Sequence, residues 1–183
     1  MSVTVYVPQD SGALSMGANA VAAAIEREAK KQGADVQLVR NGSRGMYWLE
    51  PLVEVATGKG RVAYGPVAPR DVTGLFEAGF LQGGQHALSL GLTEEIPYFK
   101  SQERLTFSRV GLTDPVSLED YVSLGGYRGL TNALKLNGEQ IIQEVTESGL
   151  RGRGGAAFPT GIKWKTAYSA PSDTKYVVCN ADE

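Results

Sequence analysis

The sequence predicts an α/β protein in two parts. Three observations carry this: an alternating apolar run at the amino terminus, a long amphipathic helix between two strand patterns, and a second, glycine-interrupted helical region beyond residue 115. "VTVYV" (3 to 7) places Val3, Val5 and Val7 on one face, as a half-buried strand requires. In "ALSMGANAVAAAIEREAKKQG", Val21, Ala24, Ile25 and Ala29 repeat at helical spacing, and Gly33 stands where a helix C-cap is expected. "DVQLVR" is the next strand, and a crossover of this length implies a parallel, right-handed pair. "LVEVA" (52 to 56) and "RVAYG" (61 to 65), joined by "TGKG", form a hairpin. "PRDVTGLFEAGFL" reads as a short helix opened near Asp71.

The order β-α-β followed by β-β-α resembles the thioredoxin-like fold, and Pro51 stands where that fold commonly carries a cis proline. The stretch "VRNGSRGMYWLEPLVEV" is similar to the loop and strand where thioredoxin-like 2Fe-2S ferredoxins hold two cluster cysteines, but Asn41 and Gly45 stand there instead. With no CxxC pair, redox chemistry by this part is not expected. The resemblance implies a cluster-less thioredoxin-like domain over residues 1–82, used for packing or docking, with its core local to those residues.

Residues 83–114 have no sustained period and read as a connector. Helix resumes at Ser117, where "SLED" has capping-box spacing. Leu118, Tyr121, Val122, Tyr127, Leu130 and Leu134 make an apolar stripe broken at Gly125 and Gly126. Another helix begins near Asn137, with Gln140 three residues on, turns Ile141, Ile142 and Val145 inward, and stops at Gly149.

Composition excludes several functions. The net charge is -2 and the pI about 5.6, whereas nucleic-acid and polybasic membrane surfaces need an excess of Lys and Arg. No apolar run approaches the ~20 residues of a membrane span, and "MSVTVYVPQD" is unlike a signal peptide, so a cytoplasmic location is expected. Cys179 and His86 are the single cysteine and histidine, too few for a disulfide, an iron-sulfur cluster or a structural zinc site within this chain. His86 has no nucleophile signature beside it, and a surface or capping role is expected.

The chemistry concentrates in "SGLRGRGGAAFPTGIKW" (148 to 164). "GRGGAA" satisfies a loose G-x-G-x-x-A pattern, but a helix precedes it where the dinucleotide fingerprint needs a strand. The phosphate-loop motif also fails, because Ile162 separates Gly161 from Lys163. Consecutive glycines nonetheless let backbone N–H groups converge on an anion, or a flat ring lie against the chain. Arg151, Arg153, Lys163 and Lys165 give +4 in a window, Ser148 to Ser172, with no acidic residue. "PTGIKWKTAY" opens a helix whose amino terminus turns partial positive charge toward the loop. The plainer alternative is a tight turn with solvated basic side chains.

"SGLRGRGGAAFPTGIKW" followed by "YVVCNADE", with the lead-in "IPYFKSQERLTFSRVGLTDPVSLEDYVSLGGYRGL", resembles the FMN-binding flavoprotein subunit shared by respiratory complex I, NAD-reducing hydrogenases and NAD-dependent formate dehydrogenases. The likeness covers about Glu95 to Glu183, and the cluster-less extension before it is most similar to the formate dehydrogenase beta subunit. It implies that residues 115–183 begin a complex I flavoprotein-type FMN-binding α/β domain. The implied cofactors are FMN and NAD, with the chemistry on the flavin and no catalytic side chain. The resemblance puts Gly152, Arg153, Gly154 and Gly155 along flavin and dinucleotide, Phe158 on the adenine, and Lys163 on FMN. Asn180, Asp182 and Glu183 then form a polar run at a strand end that lines the flavin and nicotinamide.

Without that likeness, Phe158 is an anchor for its turn, Asn180 and Asp182 are loop residues, and Trp164 and Cys179 are core. Ala157 stands where the family commonly has glycine, and Thr166 where it often has an aromatic. The family continues past "CNADE" into the rest of the flavin fold and a cysteine-rich domain holding a 4Fe-4S cluster. The likeness therefore implies the amino-terminal part of a longer subunit, which alone binds FMN poorly and is inactive. Its implied partners are an iron-sulfur and molybdenum formate dehydrogenase alpha subunit and a 2Fe-2S gamma subunit.

Overall fold

A computed structural model describes residues 2–181, and the chain divides into two compact units, Met1–Leu124 and Gly125–Glu183. In the first unit, strand β1 (Val3–Tyr6) leads to a short helix α1 (Ser11–Ser15) and the long helix α2 (Ala18–Gln32). Gly17, at φ 93°, separates the two helices, so the helical stretch read from sequence is interrupted where only glycine turns easily. Gly33, at φ 65°, closes α2 by donating its N–H to Lys30 O. Strand β2 (Val36–Val39) then pairs parallel to β1.

Strands β3 (Val53–Thr57) and β4 (Gly60–Tyr64) form the hairpin, with β3 antiparallel to β1. Helix α3 (Val72–Glu77) follows a single turn at Pro69–Asp71, where the Asp71 carboxylate accepts the Ala68 N–H at 2.8 Å. The sheet order β2-β1-β3-β4 is the thioredoxin-like arrangement expected from the element order, and Glu50–Pro51 is cis.

The fifth strand, β5 (Ser89–Leu92), lies within the stretch read as connector and pairs antiparallel to β4. "SLGL" is four residues with a glycine at φ 79°, too short and irregular to register as a period-2 pattern. Helices α4 (Pro97–Lys100) and α5 (Leu118–Ser123) complete the unit; the Ser117 hydroxyl accepts the Asp120 N–H at 3.1 Å, as the capping pattern predicts.

The core lies between one sheet face and helices α2 and α3. Val5, Val7, Val53 and Val55 are fully buried against Val21, Ile25 and Ala29 of α2, and against Leu75, Phe76 and Phe80. Each fully buried side chain of this size contributes about 1.5–3 kcal/mol of transfer free energy. Tyr64 packs edge-on to Phe80 at 5.2 Å and donates its hydroxyl to Gly84 O at 2.7 Å; burial raises its pKa above the usual phenol value. A smaller cluster of Met46, Leu52, Ala63 and Phe99 draws on residues beyond 82.

The opposite sheet face carries a buried charge network. Glu54, 1% exposed, pairs with Arg44 at 2.9 Å and Arg61 at 3.4 Å. Arg61 also donates to Gly111 O and Leu112 O, at 2.9 and 2.8 Å, and its guanidinium lies 3.4 Å above the Tyr6 ring. Asn41, at the place compared with a cluster cysteine, donates to Gly111 O at 2.8 Å. Residues 104–112 are thereby strapped over this face by side chains that balance one another's charge.

In the second unit, helices α6 (Arg128–Ala133), α7 (Gly138–Glu147) and α8 (Thr160–Ser169) follow in order. Asn137 and Gln140 form both halves of a capping box at 2.9 Å each. Helices α7 and α8 meet at Gly161, where a β-carbon would come within 2.2 Å of the Thr146 hydroxyl oxygen. Ile141, Ile142 and Val145 are half-buried, and Leu130 and Leu134 are exposed at 55% and 78%. "YVVC" has no strand partner among the described residues, because a strand needs a neighbouring edge for its N–H and C=O groups. Cys179 is correspondingly exposed, not the buried strand residue expected.

Candidate functional site

Helix α7 ends at Glu147 with Ser148 as its C-cap, and Gly149, at φ 66°, turns the chain into the glycine-rich segment. The segment closes on itself. Arg151 bridges Pro159, the Gly152 N–H donates to Phe158 O at 2.9 Å, and the Thr160 N–H donates to Leu150 O at 2.9 Å. These bonds hold residues 152–158 as a loop whose two stems lead directly into α7 and α8. The Arg151 guanidinium donates to Ala157 O at 3.1 Å, pinning the distal side.

Glycine is required for more than flexibility here. A β-carbon on Gly152 would lie 3.1 Å from the Lys163 ammonium and 3.6 Å from Phe158 O, so its absence leaves a cradle that Lys163 overhangs. Gly155 takes φ 95°, open to glycine and costly to other residues. Ala157 adopts φ 49° without that freedom, at the position where the resembled family commonly has glycine.

Helix α8 begins immediately after the loop with Pro159 at its N-cap and no side chain capping its first N–H groups. The Thr160 N–H is taken by Leu150 O; the next N–H groups of α8 and the Lys163 ammonium, one turn in, carry the same sign of charge and together favour an anion. Arg153 and Phe158 are exposed, Phe158 at 47%. The structure brings Gly152 and the Phe158 carbonyl of the loop together with Lys163 of α8, with Arg153, Gly154 and Gly155 on the loop's exposed arc. Asn180 lies on the exposed extended tail, while Asp182 and Glu183 lie outside the described residues.

The remaining residues singled out from sequence fall elsewhere. Trp164, 48% exposed, lines an apolar groove of about 580 Å³ with Leu136, Ile141 and Val145. Thr166 returns its hydroxyl to Ile162 O at 2.9 Å, within its own helix. His86 accepts the Leu88 N–H on Nδ1 at 3.2 Å, a local cap as expected. Sequence reasoning counted Arg151 only as charge and missed its hold on Ala157 O; an Arg beside the first loop glycine, six residues from a non-glycine turn residue, was the available signal. No three His, Cys, Asp or Glu side chains gather as a metal site among the described residues, and no described helix is long and apolar enough to cross a membrane.

Cradle, lysine and helix start suit a flat, phosphate-bearing ligand such as a flavin nucleotide: the missing β-carbon admits a ring edge, and the positive groups favour a phosphate.

Known proteins give the same direction for this end of the chain. Residues 145–183 match the family model described as Nuo51 FMN-binding domain. The chain is 50% identical over 84 residues to NADP-reducing hydrogenase subunit HndC of Solidesulfovibrio fructosivorans, covering 46% of this chain and 17% of that one. It is 52% identical over 67 residues to an NADH-quinone oxidoreductase subunit of Aquifex aeolicus, covering 37% and 16%. With NAD-reducing hydrogenase HoxS subunit alpha of Cupriavidus necator it shares 54% over 54 residues, 30% and 9% of the two chains. The chain thus spans less than a fifth of the length of these relatives. Among solved structures, a thioredoxin-like 2Fe-2S ferredoxin of Aquifex aeolicus matches 52% of this chain and 96% of its own, at 20% identity and a TM-score of 0.42. Residues 145–183 are thus similar to an FMN-binding segment, and the chain to subunits of NADH-quinone oxidoreductases and NAD-reducing hydrogenases.

Proposed function

We propose that the chain is part of the diaphorase subunit of an NAD-dependent formate dehydrogenase, a cytoplasmic oxidoreductase that moves electrons between iron-sulfur clusters and NAD(H) through FMN. The observation that carries the flavin reading is the closed loop 152–158 with the Lys163 ammonium over the Gly152 cradle. FMN, when bound, supplies the exchange of a hydride with NAD(H) and of single electrons with clusters. The chain's own residues bind and orient: Lys163 and the α8 amides hold the anionic part, Gly152, Arg153, Gly154 and Gly155 lie along flavin and dinucleotide, and Phe158 covers the adenine. Asn180, Asp182 and Glu183 hydrogen-bond the flavin and line the nicotinamide site.

The formate assignment is supported by a thioredoxin-like unit that lacks cluster cysteines ahead of the flavin loop. Its partners are then an iron-sulfur and molybdenum alpha subunit and a 2Fe-2S gamma subunit, with a 4Fe-4S cluster in the family's carboxyl-terminal part. The relatives are named as hydrogenase and NADH-quinone oxidoreductase subunits, which supports the alternative of an equivalent subunit of those complexes. The native complex, isolated from its own cells, tests the assignment: formate should drive NAD reduction, and reduction driven by hydrogen alone would move the chain to the hydrogenase branch.

A second reading concerns the first unit. Its sequence contains no cysteine, and the Glu54 charge network at the place of a cluster favours packing or docking over redox chemistry. Deletion of residues 1–82 should then abolish assembly of the complex, and intact assembly would remove this reading.

A further inference from the structure

Within the first unit, the loop around Ser43–Tyr47 and the strap Gln102–Val110 enclose a cavity of about 560 Å³. Tyr47, Leu105, Phe107 and Val110 form its apolar walls, and Arg104 supplies a guanidinium. Tyr47, Leu105 and Phe107 are exposed at 65%, 88% and 64%. Next in sequence to Tyr47, Trp48 is also exposed, and its ring meets that of Tyr98 edge-on at 5.0 Å.

Arg104 is held in place before any ligand arrives. Its guanidinium stacks 3.8 Å above the Phe99 ring, Nη2 donates to Arg44 O at 3.0 Å, and Nε donates to Gln102 Oε1 at 3.2 Å. Neighbouring Arg44 is already neutralised by Glu54 and Glu94, at 2.9 and 3.2 Å. Arg104 makes no ion pair among the described residues; burial, followed by the charge of Arg44, lowers its pKa, against the weaker opposing pull of Glu94 and Tyr98. Glu103 on the same strap is exposed and keeps its water; the half-buried Arg104 is the charge that gains from an incoming anion.

We propose that this cavity and the Trp48–Tyr98 pair form a docking surface for a peptide segment of a partner protein, in which an Asp or Glu carboxylate meets Arg104 and flanking apolar side chains cover Tyr47, Leu105 and Phe107. A preset Arg stacked on Phe99, in a cavity walled by Tyr47 and Phe107, has the composition of protein contact hot spots. Tyr47, Leu105 and Phe107 expose more apolar side chain than a small carboxylate covers. The single cation Arg104, in a protein of net charge -2, does not suit nucleic acid or an anionic membrane.

The proposal rests on the subunit reading only in expecting the partner to be another subunit of the same oxidoreductase. The test is photo-crosslinking in the protein's own cells with p-benzoylphenylalanine in place of Leu105, followed by mass spectrometry of the joined peptides. The expected product joins a carboxylate-bearing apolar segment of a co-purifying polypeptide. Its yield should fall about tenfold in Arg104→Ala, recover in part in Arg104→Lys, and fall also in Phe107→Ser, an exposed change that leaves the fold alone. A yield indifferent to both Arg104→Ala and Phe107→Ser overturns the proposal, as does a product confined to lipid, to a second copy of this chain, or absent. Flavin absorbance of the same preparation is read separately: a crosslink without flavin would sink the diaphorase reading and keep the docking surface.

Discussion

The Lys163 ammonium stands 3.1 Å from the point where a β-carbon on Gly152 would sit. The lysine from α8 and the missing side chain of the loop therefore shape one feature. Gly152→Ala should displace the ammonium and weaken FMN binding about tenfold, the scale of one charge-assisted hydrogen bond. Lys163→Met should cost a similar factor, and the double variant little more than either alone, because both remove the same interaction. Flavin titration of the three variants of the native subunit measures this; fully additive losses would show that the two residues act apart.

Ala157, at φ 49°, adopts a conformation that costs an L-residue about 1–2 kcal/mol. Ala157→Gly should relieve it, offset in part by glycine's greater freedom in the unfolded chain. The expected result is slower hydrogen exchange at the Gly152 and Thr160 amides, which close the loop. Unchanged or faster exchange would mean the loop carries no such strain.

Glu54 holds Arg44, itself 4% exposed, and Arg61 against the strap. Glu54→Leu leaves Arg44 buried without its main counter-charge and should destabilise the first unit by about 3–5 kcal/mol. Adding Arg44→Met should recover much of that loss, since a buried ion pair and an apolar pair of similar volume are often nearly equivalent. Chemical denaturation of the single and double variants checks both statements; a double variant as unstable as the single would place the stability in Arg61's bonds to Gly111 and Leu112.

Burial raises the pKa of Glu50, although its carboxylate accepts hydrogen bonds from the Ser43 hydroxyl at 2.7 Å and the Leu52 N–H at 2.9 Å. The folded protein then binds this proton more tightly than the unfolded chain, so this group's contribution to stability is full below the ordinary carboxylate range and is lost as pH rises through the raised value. Glu28 acts in the opposite sense: its hydrogen bond from Gln32 leads the causes that lower its pKa. Comparing Glu50→Gln with the native protein isolates the Glu50 arm, and the variant should lose less stability between acid and neutral pH. Parallel stability curves would refute the assignment.

Local signals were legible in the sequence, and long-range ones were not. The Asn137–Gln140 capping box, the Val21–Ala24–Ile25–Ala29 stripe and the β3–β4 hairpin are set by residues within a few positions of one another. Strand β5 was hidden because "SLGL" becomes a strand only on the edge that β4 offers. The Glu54 network was hidden because a charged residue in a strand reads as solvent-facing until a strap from residues 104–112 covers it. "YVVC" carries strong strand propensity, yet propensity alone does not supply a partner edge, and Cys179 remains exposed. At the site, the glycine spacing and basic residues were readable. The Gly152–Lys163 approach and the Arg151 clamp on Ala157 O depend on how the stems of the loop close.

The flavin reading is tested most directly by the FMN content of the native subunit carrying Lys163→Ala, purified beside the unchanged protein and measured by flavin absorbance per mole of chain. The account predicts that the unchanged protein retains FMN and the variant loses most of it on purification, with its thermal unfolding otherwise unaltered. A variant that kept its full flavin absorbance would contradict the role of Lys163 and, with it, the loop 152–158 as the anionic end of the flavin site.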